Sequence, residues 1–146
     1  MLERFQGKDG RVALLNALRN QFLVDGNSEI ADMIASAAHV KEYAPGTALF
    51  TKGERGSDLC FILSGQVSVR VDEREIATVS AGMHVGEIGL LEPFKGRSGT
   101  VVAVDTVVVA QVAGHRFTEI ARFHPELWRR MAVELARRLV TSQSRG

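Results

Sequence analysis

The stretch Gly86-Glu87-Ile88-Gly89-Leu90-Leu91-Glu92-Pro93-Phe94-Lys95-Gly96-Arg97-Ser98-Gly99-Thr100 runs through a glycine-led turn, a one-turn helix candidate, a loop and an arginine into a β-type run. That arrangement suits a small anion. Gly86 and Gly89 let the backbone approach a ligand closely, and the first amides of a short helix present free N–H groups. Those donors and the helix dipole favour negative charge. Arg97 can meet a phosphate with two parallel charge-assisted hydrogen bonds, and Ser98 can add a hydroxyl. Glu87 is not called for by a phosphate. A carboxylate beside an anion repels it unless it accepts hydrogen bonds from another group, and a sugar hydroxyl would serve. A lone Gly-Glu or a lone loop arginine is commonly surface decoration. The two together, ten residues apart inside a matching strand pattern, point to a site.

Around this stretch the chain is rich in short β-type runs: Ala48–Thr51, Leu59–Leu63, Val67–Val71, Ile76–Val79, Thr100–Val104 and Val107–Val112. Val67, Val69 and Val71 alternate with Ser68, Arg70 and Asp72, the period of a half-buried strand. Nine of the 14 glycines fall between Gly46 and Gly99, and turn signals separate the runs at Pro45-Gly46, Gly53 to Gly56, Ser64-Gly65, Asp72 to Arg74 and Ala81-Gly82. Many short, regularly spaced strands imply a sandwich or closed barrel.

The flanks read as helix. Up to about Val40, the series Val12, Leu15, Leu18, Phe22, Leu23 and then Ile30, Ile34, Ala37 recur at three- and four-residue steps, broken at Asp25-Gly26-Asn27, with Ser28 as a helix start. After the strands, His115 to Phe123 makes one short helix. Leu127, Met131, Leu135 and Leu139 then fall at four-residue steps behind Pro125. The expectation is one α+β domain over 1–146, an antiparallel β-roll or jelly-roll barrel flanked by N-terminal helices and two C-terminal helices. Its parts are N-terminal helices over 1–40, a barrel over 41–113 holding the 86–100 stretch, and C-terminal helices over 114–143.

Lys plus Arg number 18 against 17 Asp plus Glu, a net charge of +1, so the basic bias of a duplex-DNA binder is missing. The four arginines Arg129, Arg130, Arg137 and Arg138 read as a solvated helix face. One cysteine excludes an internal disulfide framework and suits a reducing compartment. No apolar run approaches the roughly 20 residues of a membrane span, and the N-terminus has no signal-peptide pattern, so a cytoplasmic protein without membrane or nucleic-acid contact is expected. Cys60, inside a strand, reads as an inert core thiol. His39, His84, His115 and His124 show no metal-ligand spacing, which counts against a metal-dependent barrel. His84, close before the Gly-Glu pair, reads as structural or as a pocket edge, and Trp128, Met131 and Leu135 as helix core that could also cover a ligand. Neither catalysis, metal nor cofactor is expected.

The series Tyr43-Ala44-Pro45-Gly46, Leu49-Phe50, Gly53-Glu54, Phe61 to Val67, Gly86 to Leu91 and Arg97 to Thr100 resembles the cyclic nucleotide-binding domain family, from about Ile30 to about Leu139. The resemblance makes residues 86–100 the phosphate-binding cassette. Glu87 would accept the ribose 2′-OH and Arg97 would pair with the cyclic phosphate. Ile88, Gly89 and Ser98 would supply donors, with Gly86, Leu90 and Gly99 completing the site. An alanine is commoner where Gly99 stands, and glycine there is expected to loosen the backbone.

The N-terminal stretch Met1 to Gly7 with Leu14 to Leu18 further resembles bacterial anti-phage Pycsar effectors, in which such a domain precedes a TIR or membrane-spanning part and responds to cyclic UMP or cyclic CMP. The alternatives are an ordinary cyclic AMP or GMP sensor and a protein-interaction module with a non-functional pocket. Thr141 to Gly146 are too few for the DNA-reading helices of the transcription regulators. The expected partners are therefore the nucleotide and either a second copy, in a homodimer, or an effector domain past the C-terminus. The last helix, about Pro125 to Val140, is expected to move on binding, with its four arginines left outside.

Overall fold

The computed structural model describes the backbone of residues 1–145 and the side chains of residues 1–141. A 3₁₀ turn, Leu2–Phe5, leads into α1 (Gly7–Arg19) and α2 (Ser28–Ala37). Eight strands follow: β1 (His39–Tyr43), β2 (Ala48–Phe50), β3 (Leu59–Ser64), β4 (Gln66–Val71), β5 (Arg74–Ser80), β6 (His84–Val85), β7 (Thr100–Ala103) and β8 (Val107–Val112). The short helix α3 (Glu87–Leu91) lies between β6 and β7, and α4 (Gly114–Phe123) and α5 (Glu126–Arg145) close the chain. The strands form two antiparallel four-stranded sheets, ordered β1-β8-β3-β6 and β2-β7-β4-β5. This is the α+β arrangement of helices against a double-sheet roll.

The unbroken apolar runs become the central strands. In β3, Leu59, Phe61 and Leu63 join the core under the helices, while Cys60 and Ile62 join the core between the sheets. β8 divides the same way, with Val108, Ala110 and Val112 on the helix side and Val107 and Val109 inside. Period-two alternation with apolar residues on both faces places this sheet between two cores, and burial on both faces accounts for the continuous runs. Burial pushes the Cys60 thiol up to about 12, so it stays an unreactive core group.

Three expectations are corrected. Val40 is not helical: the helix ends at Ala37, and His39–Tyr43 pairs with β8 from His39↔Gln111 to Tyr43↔Val107. The short strand β6, paired with β3 at Cys60↔Val85 and Phe61↔His84, was not read from sequence either. Both are held by tertiary pairing and carry too little alternation of their own. The four-residue stripe also stops early, since Leu127 and Met131 are buried but Leu139 is 60% exposed. Four-residue steps advance 400°, so such a stripe winds off the buried face. At the other end, the break before α2 holds, but the cap is Asn27, whose side chain accepts from Ile30 N–H at 3.0 Å.

Phe117 of α4 is fully buried and meets Trp128 of α5 edge-on, ring centroids 5.4 Å apart at 79°, which locks the two C-terminal helices together. Phe117→Ala should cost about 3–5 kcal/mol of stability, measured by urea unfolding; a loss below about 1 kcal/mol would show that this joint relaxes freely.

Candidate ligand-binding site

Arg97 is held by backbone on both sides: its N–H donates to Glu54 O (2.7 Å) and its carbonyl accepts from Gly53 N–H (2.9 Å). The side chain turns inward and is 7% exposed. Nη1 donates to Gly86 O (3.1 Å), Nη2 to Asp58 O (3.0 Å), and the guanidinium lies 3.8 Å over the Phe50 ring. Burial lowers the Arg97 pKa from its usual value, although a guanidinium remains a cation throughout. The two carbonyls use two of its five N–H donors, so about three remain. The guanidinium lines a hollow of about 50 Å³ with Phe50, Gly86, Glu87, Gly89, Ser98 and Gly99. Gly89 is required here, because a Cβ would run into Arg97 Nη1.

The turn into α3 depends on Gly86. Its φ is +101°, and a Cβ there would lie 2.5 Å from Asp58 O. Leu90 N–H closes the first helical turn on Gly86 O (3.2 Å), so the amides of Ile88 and Gly89 precede the helical ladder. Ile88 and Ser98 are exposed, while Leu90 is half-buried against the helix-side core. At Gly99 a Cβ would stand 2.7 Å from Arg70 O of β4. Glycine there lets the cassette close onto the neighbouring strand, rather than merely loosening the backbone.

Glu87 opens α3 and is almost wholly buried. Its Oε1 accepts from Arg138 Nη1 of α5 at 2.6 Å. Arg138 Nε also donates to Glu134 Oε2 (2.9 Å), and Nη2 donates to the His84 carbonyl. Burial raises the Glu87 pKa from the usual carboxylate value, and the guanidinium opposes that rise. Arg138 is therefore not outside, as a solvated helix face would require, and Arg130 also turns in to the Leu23 carbonyl (2.8 Å). The sequence reading missed Arg138. It stands seven residues after the buried Met131 and four after Glu134, which puts it on the inward face.

Beyond Arg138 a cleft of about 280 Å³ opens between β5 and α5, lined by Ala77 to Ser80, Met83, Glu134, Arg137, Arg138 and Thr141. Trp128 and Met131 do not line it; they sit in the core beneath. His84 is fully buried in β6, its ring tilted on Phe61 at 6.4 Å and its Nε2 4.0 Å from Glu87 Oε2. Among the described residues no group of three or more His, Cys, Asp or Glu is placed to hold a metal ion, and no helix is long and apolar enough to cross a membrane.

Residues 40–123 match the cyclic nucleotide-binding domain family. The chain belongs to that family. It is 36% identical over 139 residues to the Pycsar effector protein XpPycTIR of Xanthomonas perforans, covering 95% of this chain and 46% of the relative. To PaPycTIR of Pseudomonas aeruginosa it is 37% identical, covering 95% and 45%. The transcriptional regulator CRP of Escherichia coli O157:H7 is 30% identical over 117 residues, covering 76% and 56%. Among solved structures, the catabolite activator protein of Thermus thermophilus superposes with a TM-score of 0.73 at 27% identity, covering 86% of this chain and 61% of that one. The cAMP-bound PfPKA-R fragment gives 0.76 at 22%, covering 88% and 46%, a likeness of fold. The chain is thus a cyclic nucleotide-binding domain similar to part of the Pycsar effectors, and it spans about half the length of those relatives.

Burial and the Arg138 charge depress the His84 pKa from 6.5 to about 3. A depressed folded-state pKa gives stability that is present above the unfolded value and is lost as pH falls from there towards the folded one. Thermal stability should therefore fall from about pH 6.5 towards pH 3, and His84→Phe should remove part of that loss. Parallel pH profiles for the two proteins would show that His84 is not buried as a neutral ring.

Proposed function

We propose that the domain binds a 3′,5′-cyclic nucleotide, with the phosphate in the hollow at Arg97, the ribose at Glu87 and the base in the cleft between β5 and α5. One observation carries this reading: hollow and cleft meet at a single ion pair, because Glu87 lines the first and Arg138 the second, 2.6 Å apart. The guanidinium of Arg97 and the leading amides of Ile88 and Gly89 supply donors for the phosphate, with Ser98 at the rim. The Glu87 carboxylate supplies an acceptor for the 2′-hydroxyl.

The base is a pyrimidine, as cyclic UMP or cyclic CMP, and the domain is the sensing part of an anti-phage effector. Similarity to Pycsar effectors over 95% of this chain supports that choice. The effector part continues past α5, consistent with the roughly doubled length of those relatives. A second copy packs along the outward seam of α5, where Val133, Ala136 and Val140 follow a 3–4 spacing and line one apolar concavity. Calorimetric titration with cyclic UMP, CMP, AMP and GMP tests the ligand. A pyrimidine nucleotide should bind tightest, and preference for cyclic AMP would put the chain with the CRP-like sensors. Arg97→Ala should weaken binding roughly 30- to 150-fold, about 2–3 kcal/mol, with Arg97→Lys recovering only part. Unchanged affinity would move the phosphate elsewhere.

Because Arg138 ties α5 to the ribose acceptor, ligand and helix share one group, and only such differential contact can shift the helix. Hydrogen exchange with the bound nucleotide should show more protection over 86–100 and altered protection over 127–139. Arg138→Ala should confine the change to the cassette; a response of α5 that survives this substitution would mean the signal runs through other contacts.

A further inference from the structure

Glu87 has two carboxylate oxygens in unlike surroundings. Oε1 meets Arg138 at 2.6 Å. Oε2 is sealed from solvent and has no hydrogen-bond partner among the described residues, and His84 Nε2 lies 4.0 Å from it. The imidazole is equally short of partners: both its nitrogens are buried and unpaired. Two buried polar groups left unpaired 4.0 Å apart each carry a desolvation penalty, which a hydrogen bond between them relieves.

Proton placement follows from the neighbours. The ring is neutral, since burial opposes a cation there. A proton on Nδ1 would orphan a donor and turn the Nε2 lone pair towards the carboxylate. A proton on Nε2 aims a donor at Oε2 and leaves only an unpaired acceptor at Nδ1, the milder omission. The present 4.0 Å exceeds the usual N–H···O range, so a closure of about 1 Å makes the bond. α3 starts at Glu87 behind the left-handed Gly86 turn, so the carboxylate rides on the cassette, whereas His84 is fixed in β6 against Phe61.

We propose that His84 is a positioning residue for the sugar site: in the nucleotide-bound domain its Nε2–H donates to Glu87 Oε2 and so presents Oε1 to the ribose 2′-hydroxyl. This rests on the ribose reading of Glu87 given above. His84 touches no part of the ligand. It acts only through Glu87, so its effect appears only when the ligand carries the hydroxyl that Glu87 accepts.

The experiment is calorimetric titration of wild type, His84→Phe, His84→Gln and Glu87→Ala with cyclic UMP and its 2′-deoxy counterpart, and with the cyclic AMP pair in parallel. Wild type should favour the ribonucleotide, and Glu87→Ala should abolish the preference. His84→Phe keeps a flat apolar ring but no donor. It should weaken the ribonucleotide about tenfold and the deoxynucleotide hardly at all. His84→Gln, whose amide nitrogen reaches the Nε2 position, should restore most of the preference. If His84→Phe keeps the wild-type preference, or weakens both nucleotides equally, His84 merely fills space and the proposal fails. If wild type itself shows no preference, or neither pair binds, the ribose reading fails first and the proposal with it.

Discussion

A carboxylate taken out of water has to be neutralised or bonded on every side, and Glu87 is almost wholly buried at the head of the cassette. Its partner is a guanidinium from α5, fifty-one residues along the chain. Arg138 in turn carries Glu134 on one side and the His84 carbonyl on the other, so the final helix, the strand before the cassette and the cassette itself share one charge centre. Removing one member of such a pair leaves an uncompensated buried charge, commonly costing about 3–5 kcal/mol. Arg138 thus ties the second half of α5 to the head of the cassette.

The opposite wall of the site is prepared in a different way. Arg97 is stretched between the Gly86 and Asp58 carbonyls over the Phe50 ring, and Gly89 makes room for its guanidinium. The arginine is therefore held in one place by the fold itself, with little side-chain freedom left. What keeps these carbonyls still is the sheet behind them. β3 and β8 are packed on both faces, against the helices on one side and the second sheet on the other. The strand pair lies behind Arg97 on one side, and on the other Arg138 ties α5, whose first turns are anchored in the core by Leu127 and Met131, to Glu87.

Several features were legible from residues alone. The runs at 59–63 and 107–112 read as strands because they are short, mostly apolar and bounded by turn residues, and Gly86, Gly89 and Arg97, singled out together in the sequence, line one hollow in the fold. Other features left no local trace. His39–Tyr43 is half polar and becomes a strand only because β8 offers it a free edge. Gly99 looks like slack in the chain until β4 is seen 2.7 Å from where a Cβ would stand. Arg138 sits among arginines of identical composition, and its inward turn follows from the helix phase that Leu127 and Met131 set in the core.

The sequence by itself determined the α+β class, the central strands and the helices with a clear period of their own, since these depend on hydrophobic period, turn residues and spacings within about fifteen positions. Only the tertiary structure decided which arginine pairs with Glu87, which oxygen of that carboxylate is left to His84, and where the cleft opens. Those outcomes depend on distances between groups that lie tens of residues apart. A one-dimensional pattern carries the local preference of each residue, whereas the energy of a buried charge depends on what the folded chain brings within a few ångströms of it.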